Sequence, residues 1–157
     1  MNSLSVSLRR DDDDEDTAKV EVEVVSEQFS GLGSAWFSIH QLSQALSEFE
    51  AFPINVDKIP AIAGGYWNND ATELIHEHVH ISVRPLDSRG NLVMNVKVFS
   101  PYVEYSREKM GRGACCDYLL DYEALKEFCE EMRHLISGSL SKVEFCRLAV
   151  PTRPGTP

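Results

Sequence analysis

The alternation of apolar and polar positions is clearest between Ala18 and Phe29. There Val20, Val22 and Val24 fall on one side and Glu21 and Glu23 on the other, the period of a half-buried strand. Ser30, Gly31 and Gly33 supply hairpin turn chemistry, and Ala35, Trp36 and Phe37 make a compact apolar strand. The period then changes. Ser38 and Gln41 have capping-box spacing, and Leu42, Ala45, Leu46, Phe49 and Phe52 recur at steps of three and four, which predicts an amphipathic helix from near Ile39 until Pro53 stops it.

From Ile54 to Asp70 the periodicity lapses, and Pro60, Gly64 and Gly65 predict a long loop. Tyr66 and Trp67 follow the double glycine, either to cover a core edge or to act as exposed interface anchors. Leu74–Arg84 and Asn91–Phe99 alternate on either side of an Asp87–Gly90 turn, as a long antiparallel hairpin does. A short strand over Ala114–Leu120 leads into a second helix, capped by Asp121, striped by Leu125, Phe128, Cys129, Met132, Leu135 and Ile136, and ended by Gly138. Laying Ser38 over Asp121 superposes Leu42 on Leu125, Ala45 on Phe128, Leu46 on Cys129 and Phe49 on Met132, a repeat of two copies. Lys142–Val150 suits an edge strand.

These elements predict one α+β domain over residues 18–150: an antiparallel sheet of five or six strands with two helices packed on one face, built from a duplicated strand-then-helix unit. Residues 1–17 read as a disordered acidic tail, since Asp11–Asp14, Glu15 and Asp16 outnumber Arg9 and Arg10. Residues 151–157 read as a second loose tail.

Charge narrows the partners. The net charge is -10, which repels phosphate backbones and anionic membranes and favours a basic protein. No leader-like apolar segment or membrane-length run is present, and the four irregularly spaced cysteines, Cys115, Cys116, Cys129 and Cys146, suit a reducing compartment. The expected location is the cytoplasm.

Candidate chemistry is sparse. His76, His78 and His80 share a predicted strand face, with neighbours roughly 7 Å apart. Two could share a metal, but the outer pair, about 13 Å apart, could not, so a site would need a further ligand from elsewhere. The alternative is a solvated or partner-facing row. Glu123, Glu127, Glu130 and Glu131 lie off the apolar stripe of the second helix, with Lys126 and Arg133 offsetting them in part; this is either a wet face or an electrostatic landing surface. No nucleophile, phosphate-loop or zinc-protease motif is present, so neither a catalytic residue nor a cofactor is expected.

The run VEVEVVSEQFSGLGSAWFSIHQLSQALSEFEAF resembles the N-terminal motif of small bacterial proteins of the WapI-like kind: strand, F-S-G turn, strand, and capped helix with a leucine stripe. DYLLDYEALKEFCEEMRHLI is similar to their closing strand and helix, and the two stretches cover about a third of the 157 residues. The resemblance implies an α+β fold and, for some members, immunity proteins that neutralise secreted polymorphic toxins. The acidic N-terminus and the Pro-rich C-terminus depart from it. The expected function is a non-enzymatic protein-binding module engaging a basic partner through Tyr66, Trp67 and the acidic helix. A metal-dependent hydrolase on the histidine strand and a homo-oligomer subunit are the alternatives.

Overall fold

The computed structural model describes residues 2–104 and 106–147. Along the chain it forms β1 (Asn2–Arg10), β2 (Thr17–Val25), β3 (Ser30–Ser38), α1 (Ile39–Phe49), β4 (Ala61–Trp67), β5 (Leu74–Pro85), β6 (Asn91–Pro101), β7 (Gly111–Asp121), α2 (Tyr122–Ser137) and β8 (Lys142–Arg147). The class is α+β, but the expected single sheet of five or six strands is replaced by two four-stranded antiparallel sheets, ordered β3-β2-β1-β8 and β4-β5-β6-β7.

The order contains a repetition. Each half of the chain makes a three-stranded meander, then a helix, then one more strand, and that last strand joins the other half's sheet. Thus β4 pairs with β5, and β8 pairs with β1. Neither meander is completed by its own sequence.

Two strands account for the difference from the expected sheet. Residues 2–10 are not a disordered tail: Leu4 and Val6 are fully buried on one side of β1, while Ser3, Ser5 and Ser7 take the other. The neighbouring acids mask this short alternation, although they occupy only the turn after it. Likewise β4 lies within the expected 54–70 loop, its two glycines sitting in a paired strand. The tail expected at 151–157, and the last three residues of the strand expected to run to Val150, lie outside the described residues.

Gly31 and Gly33 do not form the hairpin turn. That turn is Ser26–Phe29, where the Ser26 N–H donates to the Phe29 carbonyl (2.8 Å) and the Phe29 N–H to Ser26 Oγ (3.2 Å). The glycines lie where β3 crosses the second sheet. A Cβ on Gly31 would stand 2.5 Å from Ala114 Cβ on β7; one on Gly33 would fall on the His78 carbonyl oxygen of β5, 2.9 Å from Phe99 N and 3.0 Å from Val98 Cβ on β6. Further along, Ala35 and Phe37 press on Gly64 of β4. Gly64, Val79, Val98 and Ala114 form one cross-strand row, so β3 runs across the strands beneath it, an orthogonal sheet packing.

One apolar core joins both sheets and both helices. The Tyr118 ring on β7 is buried, its hydroxyl donates to the Ser3 carbonyl on β1 (2.9 Å), and Phe145 of β8 meets both Tyr118 and Phe128 of α2 edge-on. Burying a large apolar side chain of this kind contributes about 1.5–3 kcal/mol. The helices do not lie together on one face of one sheet. They meet at the end of α1: Arg133 of α2 bonds Ser47 and Glu50 there, while Tyr122 bonds the Ile54 N–H and meets Phe52 in the chain just beyond it. Both are capped by side chains, Ser38 Oγ accepting from the Gln41 N–H (3.0 Å) and Asp121 Oδ1 from that of Ala124 (2.8 Å). Gly138 closes α2 at φ 87°.

Candidate functional site

Three surface features stand out, and the fold separates them. The first is acidic. Glu123, Glu127, Glu130 and Glu131 are all exposed on α2. The turn carrying Asp11–Asp16 is ordered and is held against the end of this helix by Arg10, whose guanidinium donates to the carbonyls of Ile136 and Glu15, each at 2.6 Å. Asp11 and Asp14 organise the turn from within, accepting from the backbone N–H groups of Asp13 and Asp16 at 3.0 Å. The Thr17 hydroxyl and the Asp16 N–H hold the Asp14 carboxyl below the usual aspartate range. The Asp11–Asp16 turn is thus held at the C-terminal end of α2, beside the partial negative charge of that terminus, and the glutamates run back along the helix from there to Glu123 in its first turn, roughly 20 Å away. Arg10 stands at the end of a Leu4-Val6-Leu8 alternation, the signal in the sequence for the strand that brings it to this helix end.

The second feature is a groove of about 500 Å³ along α2 beside the end of α1, lined by Phe49, Phe52, Tyr122, Leu125 and Cys129 among others. Phe52 is 77% exposed. Arg133 pairs with Glu50 at 2.8 Å and donates to Ser47 Oγ at 3.2 Å, bridging α2 to the end of α1 at the groove's rim, where Lys126 and Glu130 also stand. Phe52 falls on the predicted helix stripe, but α1 ends at Phe49 and leaves it in the chain beyond.

The third is a cleft of about 210 Å³ where the sheets cross, lined by Lys19, Trp36, Tyr66, His78, Phe99 and Glu104 among others. The Tyr66 ring stacks on His76, with centroids 5.8 Å apart, and is part-buried rather than a free anchor. Trp67 pairs with Leu74 at the end of β4. The expected histidine row is broken by a bulge: Gly64 pairs with Val79 and Gly65 with Glu77, leaving His78 as the extra residue of β5. Each ring has its own partner. His76 Nε2 bonds the Arg107 carbonyl (2.6 Å), His78 stacks on Phe99 (5.8 Å), and His80 Nδ1 bonds Glu77 (2.6 Å). Burial is the main cause that pulls His78 below the usual imidazole range, helped by His76 and Lys109 and opposed by Glu104. Among the described residues no three His, Cys, Asp or Glu side chains are grouped to hold a metal.

The predicted partner-binding residues therefore do not share one surface. Tyr66 and Trp67 belong to the end of the second sheet where β7 begins, whereas α2 starts where β7 ends. The eleven residues of β7 span roughly 33 Å.

Among the described residues no helix is long and apolar enough to cross a membrane. No protein-family model, characterised protein or solved structure matches the chain.

Proposed function

We propose that this chain is a cytoplasmic protein-binding module for a basic partner and that, as the WapI-like resemblance implies for some members, the partner is a toxin neutralised by occlusion. The observation that carries the reading is the Arg10 clamp. It converts a run of acids that would otherwise wave in solvent into a fixed extension of the acidic helix, so a partner meets preorganised charge. The pairing would be steered at long range by the net charge of -10, and nuclease toxins supply the matching sign because they bind nucleic acid.

The test uses a basic toxin domain encoded beside this gene, purified and mixed in stopped flow. Reversing Glu127 and Glu131 to Lys should leave the fold intact, because both side chains are exposed. Association should slow several-fold at low salt, and the difference should shrink past roughly 0.15 M, where the screening length is about 8 Å. Equal association rates for variant and parent at both salts would refute the acidic surface as the docking face.

A further inference from the structure

We propose that the open edge of β7 receives an extended segment of the partner, added to the second sheet as a further strand beneath Phe29. This rests on the protein-binding reading above for the kind of occupant, but not on its acidic surface. The backbone sets the site. The Tyr102 N–H donates to the Met110 carbonyl (2.9 Å), and from there β6 and β7 stay in register to Asp121 without a bulge. Hydrogen-bonded pairs alternate along an antiparallel ladder, so Arg112, Ala114, Cys116, Tyr118 and Leu120 bond to β6. The N–H and C=O groups of Gly113, Cys115, Asp117 and Leu119 point off the sheet instead, and among the described residues none of them has a partner.

Sheet edges are commonly guarded by charge, bulges or cover, and the other three here are. The short β8 sets the Lys142–Glu144 pair (3.4 Å) on its edge, β4 is bulged, and on β3 the Leu32 carbonyl accepts from the Ser100 hydroxyl. The charged side chains of β7 are engaged away from its edge: Arg112 over the Tyr102 ring, Asp117 with Asn95 of β6, and Asp121 as the cap of α2.

The overlying strand marks where the added one fits. Ala35 of β3 lies over Gly64 of β4, Gly33 over Val98 of β6, and Gly31 over Ala114 of β7. Phe29 is the next residue on that face, so it overhangs the space beside β7 where a further strand would lie. It is 44% exposed. On the opposite face the Phe99 ring reaches across to Gly111, 3.0 Å from where a Cβ would stand. The edge therefore takes an extended main chain with an apolar residue on each face. A second copy, joined through antiparallel β7 strands, would bring its own covering sheet into the space under Phe29 and collide there, whereas a single strand fits.

The probe is a peptide of about seven residues alternating threonine with valine and phenylalanine. Its control has the same sequence with adjacent central amides N-methylated, so that neither edge can pair. In the free protein, amide hydrogen exchange should be fast at Gly113, Cys115 and Asp117 and slow at Ala114, Cys116 and Tyr118. Saturating peptide should slow the first set at least about tenfold and the control should not; Phe29→Ser, at an exposed position, should weaken peptide binding about tenfold. Slow exchange of the first set in the free monomer would show the edge already covered and overturn the proposal. Equal protection by the control, or protection away from β7, would overturn strand addition, and protection that follows protein concentration rather than peptide would assign the edge to a second copy. None of these outcomes touches the stopped-flow test of the acidic surface, so the two readings fail separately.

Discussion

The crossing of β3 over the second sheet makes Gly33 the position where one methyl group should do most harm. In Gly33→Ala the new carbon would clash with the His78 carbonyl oxygen and crowd Phe99 N at 2.9 Å. Both obstacles are backbone, in the middle of paired strands, so no rotamer change relieves them and the sheets must separate. Overpacking of a core typically costs about 1–3 kcal/mol, and a backbone obstacle belongs at or above the upper end. A loss of about 3 kcal/mol lowers Tm by roughly 6–12 °C in a chain of this size. Gly31→Ala offers an internal comparison, because its nearest obstacle is the Ala114 side chain at 2.5 Å; adding Ala114→Gly should restore most of the lost stability. Urea unfolding followed by circular dichroism would measure all three variants, with an unchanged m-value showing that the same surface is exposed. If Gly33→Ala costs less than about 1 kcal/mol, or if Gly31→Ala is not rescued by Ala114→Gly, the close crossing of the sheets is wrong.

Deleting residues 1–10 should abolish cooperative unfolding, because β1 bridges β2 and β8 and buries Leu4 and Val6; a truncated chain that melts like the parent would contradict this. Tyr118→Phe removes the hydrogen bond to the Ser3 carbonyl and should cost about 0.5–1.5 kcal/mol in the same urea assay. Burial first, then Glu50, pushes the Cys129 thiol up to about 12; with Cys116 also buried, a thiol reagent at about pH 8 should modify Cys115 and Cys146 in the folded protein and the other two only after unfolding. His78 is held below its ordinary range in the fold, so the unfolded chain takes up the proton first. Stability should therefore fall as pH drops below about 6.5, and His78→Gln should flatten that segment of the curve.

Both helices and the long hairpin were legible because each carries its own signal within a few residues. The periods of Leu42-Leu46-Phe49 and Leu125-Phe128-Met132 and the caps at Ser38, Asp121 and Gly138 lie where local pattern places them. The same local logic erred at β1 and β4. A run such as Ser3-Leu4-Ser5-Val6 becomes a strand only when partners lie on both sides, and here one of those partners, β8, is the last strand described. Gly31, Gly33 and Gly64 look like turn residues in isolation, since glycine serves both reversals and close approaches; what distinguishes the two is the chain lying opposite. The candidate site divides in the same way. The acidity of residues 11–16 and of α2 is composition, visible in one dimension. The Arg10 contact to Ile136 spans 126 positions, the partners of His76 and His78 lie 31 and 21 positions away, and the groove beside Phe52 is lined from both the end of α1 and α2; contacts set by tertiary pairing leave no periodicity in the sequence between them.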